Sequence, residues 1–143
     1  MLKVFIDGCC EPNPGGTAAF GLVVYQEEKR LLAKGKVIGG GVAYSNNLAE
    51  YAGLLEFLRI WQGTEDTVVY SDSLMLVKQM SGEWQARQGL YLESYQKAKT
   101  MSQGKPIRFA WIPREENGEA DKCCMNALSA VGIKSRRFIR TSS

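Results

Sequence analysis

The sequence predicts an α/β domain, a mixed sheet with helices packed on its faces. Three observations predict it. The first forty or so residues read as three strands joined by short breaks, the pattern of an antiparallel meander. The rest of the chain alternates helix-like and strand-like segments, which calls for parallel neighbours and helical crossovers. The length, 143 residues, suits one domain with a full hydrophobic core.

The elements follow in order. Leu2, Val4 and Ile6 alternate with Lys3, Phe5 and Asp7, the two-residue period of a strand that should close at Asp7. Pro12-Asn13-Pro14-Gly15-Gly16 then breaks the chain in a tight loop. Thr17–Gln26, rich in small and β-branched residues, reads as a second strand, and 30–39 returns as a third after the polar turn Glu27-Glu28-Lys29. The strongest helix is 47–62, with Leu48, Ala52, Leu55 and Leu58 on one face at three- and four-residue steps. Thr67–Ser71 is a short strand centred on Val68 and Val69. Helices are expected over 73–80, stopping near Gly82, and over 90–102, stopping at Gly104. A strand over 106–113 and a last helix over 119–131 complete the order βββαβααβα. No repeat or linker divides it, so 1–143 is expected to be a single domain with a basic tail from about 134.

Composition narrows the function. Apolar residues make up 45% and charged residues 23%, an ordinary globular balance. No apolar run approaches the ~20 residues that cross a bilayer, and the opening run from Met1 to Asp7 is too short and too acidic at its end for a secretory signal. A cytoplasmic, monomeric protein without a membrane partner is the expectation. The net charge of +3 permits a polyanionic partner without demanding one. Lys134, Arg136, Arg137 and Arg140 cluster at the C-terminus, and such a tail is more often a solvated end than a nucleic-acid arm. The 4 cysteines fall in two adjacent pairs, Cys9-Cys10 and Cys123-Cys124. Neighbours in a strand point to opposite faces, and no C-x-x-C spacing occurs, so buried thiols are expected rather than a zinc site or a disulfide. There is no histidine. Histidine-dependent triads and histidine-ligated zinc are excluded, and carboxylates remain as the chief acid–base and metal-binding groups.

Four carboxylates stand at element ends: Asp7 after the first strand, Glu50 in the first turn of the long helix, Asp72 after the fourth strand and Asp121 in the first turn of the last helix. Each has an ordinary structural explanation. Asn47 and Glu50 fit a capping box. Asp72 could cap the helix beginning at Ser73, Asp121 suits a helix N-terminus, and Asp7-Gly8 could begin a turn. As a set they are harder to explain so. Asp7 follows an apolar run, where an acid is costly without a partner. If the first and fourth strands are parallel neighbours, Asp7 and Asp72 sit side by side in the crevice where α/β sheets bind ligands. Crowded carboxylates repel one another, and Mg²⁺, a hard cation with oxygen ligands, relieves that.

The motifs Asp7-Gly8-x-x-x-Pro12-Asn13-Pro14-Gly15, Asn46-Asn47-Leu48-Ala49-Glu50-Tyr51, Ser71-Asp72-Ser73 and Arg114-Glu115-x-Asn117-x-x-Ala120-Asp121 resemble, in order and spacing, the signature blocks of ribonuclease H, type 1. The resemblance spans roughly Leu2 to Leu128. It implies a five-stranded mixed sheet, the first three strands antiparallel, flanked by helices. It also implies endonucleolytic hydrolysis of the RNA strand of RNA/DNA hybrids, leaving a 3′-hydroxyl and a 5′-phosphate. Two Mg²⁺ ions, with Mn²⁺ as a substitute, would flank the phosphate about 4 Å apart. The resemblance gives Asp7 to both ions, Glu50 and Asp72 mainly to the attacking-water side, and Asp121 to the other. It places Asn13, Asn47 and Glu50 near the RNA minor groove, where 2′-hydroxyls mark RNA, and Ser45 and Asn46 near a DNA phosphate. Loop and cap chemistry would account for the same residues.

The chain departs from the family in two ways. Many members carry a histidine in the loop before the last aspartate; here that loop reads Trp111-Ile112-Pro113-Arg114-Glu115-Glu116-Asn117, as in a prokaryotic branch, and Glu115 or Glu116 is the candidate substitute. Many also carry a basic protrusion after the second helix; here 83–102 holds Trp84 and Arg87 but also Glu83 and Glu93, which argues against tight hybrid binding. Two other readings stay open: a catalytically weak hybrid-binding protein, and another nuclease of the same superfold.

Overall fold

The computed structural model describes residues 1–134. Of the basic tail, Lys134 falls inside that range, and Arg136, Arg137 and Arg140 lie outside the described residues. Strands β1 (Leu2–Glu11), β2 (Thr17–Gln26) and β3 (Lys29–Gly40) come first. They are followed by α1 (Asn46–Ile60), β4 (Thr67–Ser71), α2 (Leu74–Met80), α3 (Leu92–Ser102), β5 (Ile107–Trp111) and α4 (Gly118–Ala130). A 3₁₀ turn, Arg114–Glu116, precedes α4. No helix among the described residues is long and apolar enough to cross a membrane.

The strand order is β3-β2-β1-β4-β5. β1 is central, antiparallel to β2 and parallel to β4, and β5 adds in parallel at the edge. β1 does not close at Asp7. It pairs with β2 as far as Glu11, whereas its parallel ladder with β4 stops at Ile6 and Ser71. Asp7 therefore marks the end of one ladder inside a continuing strand. The turn tendency of Asp7-Gly8 yields to hydrogen bonding on the β2 side, and the strand stops before Pro12, which has no N–H to donate.

One face of the sheet packs Val4, Ile6, Leu22, Val24 and Val69 against Tyr51, Leu54, Phe57 and Leu58 of α1. The apolar stripe of α1 differs from the one expected. Leu48, Ala52 and Leu55 are only half-buried, and Ala49, Glu50, Tyr51, Gly53, Leu54, Phe57 and Leu58 are inside. The reason is that α1 lies between the sheet and α3, so it carries two apolar stripes and periodicity alone cannot say which meets the sheet. Gly8 lets α1 approach: a Cβ there would collide with the backbone of Ala49 and Glu50. Gly21 does the same for α4, whose Ala120 backbone fills the space a side chain would need.

The cysteines are a correction. Cys9 and Cys124 form a disulfide between β1 and α4, while Cys10 and Cys123 are free. The alternation argument holds for the first pair, since Cys9 packs with Leu128 and Cys10 with Ala49. The bridge runs between pairs, across 115 residues, where local spacing carries no signal.

Away from the site, Arg59 and then Lys34 hydrogen-bond Glu56 and hold its carboxyl down at about 2. A folded-state value below the usual 4.5 means stability that is present above the unfolded value and lost as pH falls through the folded one. Both cations are solvent-facing, so screening limits the gain to about 1 kcal/mol. Glu56→Gln is expected to be less stable than wild type by that amount at pH 7. The difference should fade between pH 4.5 and about 2. Urea melts of both proteins across that range check it; a difference independent of pH would remove Glu56 as its source.

Candidate active site

The end of the β1–β4 ladder gathers three acids. Asp7 is fully buried and Glu50 nearly so, while Asp72, just past β4, is half-buried. One carboxylate oxygen from each of Asp7, Glu50 and Asp72 lies within 4.8 Å of the others. Glu50 is fixed from both strands. Its Oε1 accepts the Gly8 N–H at 2.7 Å, and its Oε2 accepts the Ser71 hydroxyl at 3.2 Å. The glycine that admits α1 thus also supplies the donor that aims its carboxylate.

The capping explanations of Glu50 and Asp72 fail. The N-cap of α1 is Ser45, whose side chain accepts the Leu48 N–H at 3.2 Å, and not Asn47. Glu50 reaches across to β1 and β4 instead of back to a cap. Ser73 caps α2 through the Leu76 N–H, so Asp72 is not the cap. Asp121 does occupy the first turn of α4 and is buried. It is not a member of the group whose oxygens lie within 4.8 Å of one another.

Asn117, quoted above only as part of a motif, has a structural task that sequence reasoning missed. Its Nδ2 donates to the Ile6 carbonyl at 2.8 Å, and its own carbonyl accepts the Asp121 N–H at 3.0 Å. The buried amide thereby ties the start of α4 to β1 beside Asp7. Ser71 was missed as well. It donates to Glu50 and accepts the Ser73 N–H at 3.0 Å. The bonds to Ile6 and to Glu50 have no local signature, because those partners lie 111 and 21 residues away.

The expected substrate residues form a rim. The Asn13 side-chain oxygen accepts the Asn46 N–H at 2.9 Å, which links the 12–16 loop to the start of α1. Ser45 and Asn46 are half-buried, and Asn13 and Asn47 are exposed. Glu115 and Glu116 are exposed on the 3₁₀ turn leading to α4. Trp84 and Trp111 are also exposed. A separate cleft of about 690 Å³, bordered by Lys99, Lys105 and Arg108, is lined by none of the four acids.

Chemically the group is an all-oxygen donor set of carboxyl groups, largely withdrawn from water. Burying such charges together is costly, and a hard divalent cation is the partner that such donors fit.

Residues 5–127 match the model of the family described as reverse transcriptase-like. The chain is 36% identical over 136 residues to the bifunctional protein Rv2228c of Mycobacterium tuberculosis, covering 91% of this chain and 36% of that protein. It thus spans about a third of the length of the curated relatives it matches. The solved N-terminal RNase H domain of Rv2228c, a maltose-binding-protein fusion, superposes with a TM-score of 0.77 at 32% identity, covering 91% and 96% of the two chains. LC11-RNase H1 in complex with an RNA/DNA hybrid superposes with a TM-score of 0.82 at 24% identity, covering 92% and 99%, and supports the fold.

Proposed function

We propose that this chain, which belongs to the reverse transcriptase-like family in its type 1 ribonuclease H branch, is a metal-dependent endoribonuclease that hydrolyses the RNA strand of RNA/DNA hybrids. The observation that carries the reading is the meeting of Asp7, Glu50 and Asp72 at the end of the β1–β4 ladder. The hybrid in the LC11 complex supports the choice of substrate.

Asp7, Glu50 and Asp72 would hold Mg²⁺ or Mn²⁺, with Asp121 serving a second ion. Bound there, the metal supplies Lewis acidity toward the scissile phosphate and a hydroxide nucleophile near neutral pH. The protein's own part is placement. Gly8 and Ser71 orient the Glu50 carboxylate before substrate arrives, and Asn117 holds the α4 terminus that carries Asp121. Preorganised ligands of this kind do not have to reorient during the reaction. The exposed Asn13 and Asn47 and the neighbouring Ser45 and Asn46 line the rim on which a hybrid would rest, their amides and hydroxyl suited to 2′-hydroxyls and phosphates. Glu115 or Glu116, exposed on the turn that leads to α4, takes over part of the task given elsewhere to a loop histidine, helping product leave.

The test is a comparison of matched duplexes. With Mg²⁺, an RNA/DNA hybrid should be cut internally on its RNA strand, and the all-DNA duplex should be left whole. Cleavage of both at equal rates favours a broader nuclease of the superfold. Binding of the hybrid with no cleavage in any divalent metal favours the non-catalytic reading.

A further inference from the structure

Trp111 ends the edge strand β5 and pairs with Ser71, the last residue of β4. Half of its surface, 50%, faces water. A single exposed aromatic needs no explanation, but its ring nitrogen has a specific target. The indole N–H donates to the main-chain carbonyl of Asp72 at 3.2 Å.

That carbonyl belongs to the turn in which β4 passes into α2. The Ser71 carbonyl accepts the Ile112 N–H at 3.0 Å, and Ser71 Oγ accepts the Ser73 N–H at 3.0 Å. The indole contact grips Asp72 itself. The three acids differ in how firmly their backbones are held. Asp7 sits within a strand whose pairing to β2 continues beyond it. Glu50 is on a helix, and its carboxylate is bonded to Gly8 and Ser71. Asp72 stands outside both β4 and α2. The carbonyl that the indole holds is that of Asp72 itself, in the turn between the two elements.

We propose that Trp111 is a positioning residue for metal binding, fixing the Asp72 peptide so that its carboxylate meets those of Asp7 and Glu50. The inference rests on reading those three acids as a metal site. Mg²⁺ demands near-ideal octahedral geometry, so a ligand swung out of place weakens binding even when its charge is kept. A structural edge-strand tryptophan, or one that stacks on a base, would not act on the metal.

Trp111→Phe keeps an aromatic ring and removes the donor. Three measurements are needed: Mg²⁺ and Mn²⁺ binding to the metal-free protein by titration calorimetry, hybrid affinity in chelator, and melting in chelator. Loss of one neutral hydrogen bond should weaken metal binding about fivefold, with hybrid affinity and melting in chelator unchanged. If Trp111→Phe melts early, a benzothiophene side chain at 111 replaces N–H by sulfur at nearly constant shape, and the fivefold loss should persist. Metal affinity equal to wild type in either variant overturns the proposal. So does unchanged metal affinity with weakened hybrid binding, which would make the ring a stacking surface. Wild-type protein that binds metal but cuts no hybrid would refute the proposed activity and leave Trp111 in its role; wild-type protein that binds no metal would refute both.

Discussion

Asp72→Asn is expected to abolish hybrid cleavage while hybrid binding stays near that of wild type. The substitution keeps the side chain's volume and shape and removes the charge a hard cation needs. Folding should survive, because Ser73 rather than Asp72 caps α2, and Asp72 is only half-buried. Turnover should fall at least ~10³-fold, a small part of what phosphodiester hydrolysis gains from an enzyme. On the proposed reading the hybrid rests on the rim residues rather than on Asp72, so titration of labelled hybrid in chelator should give similar curves for both proteins. Turnover of the purified variant within tenfold of wild type would remove Asp72 from the metal-binding set.

The order of elements and the position of β1 beside β4 were legible because binary pattern and turn residues act locally. The meeting of Asp7, Glu50 and Asp72 was legible for a related reason: strand ends and helix starts bring together residues that the pattern already locates. What escaped depends on contacts between distant segments. The end of β1 was misread because Asp7-Gly8 resembles a turn, while the partner that prolongs the strand, 17–21 of β2, lies on another element. Ser45 instead of Asn47 caps α1, a shift of two residues between side chains that cap about equally well. The inward face of α1 depended on α3, which packs on its far side. The Cys9–Cys124 bridge and the Asn117–Ile6 bond each span more than a hundred residues. Asp121 was grouped with the other acids, yet it lies outside the cluster of three.

A second consequence of the crowded acids concerns stability without metal. Two unit charges 4.8 Å apart, the outer limit for the nearest oxygens of this group, repel by roughly 3.5 kcal/mol at an effective dielectric of 20. Relaxation and shared protons lower that figure, and the Gly8 N–H and Ser71 hydroxyl offset part of it at Glu50. What remains is stability given up to keep the site ready. Asp72→Asn removes one charge with little change of packing, so the metal-free variant should melt higher than metal-free wild type. Each kcal/mol recovered corresponds to roughly 4 °C in a domain of this size, which puts the expected rise at several degrees. Saturating Mg²⁺ should narrow or reverse the gap, since a ligand bound only by the folded state stabilises it by mass action, and the variant has lost a ligand. An ordinary role for Asp72 at the α2 start predicts almost no change, because Asn serves there about as well as Asp. Paired melting curves in chelator and in Mg²⁺ decide the matter. If the variant gains nothing in chelator, the acids do not strain the metal-free fold, and the metal-site reading loses its energetic support.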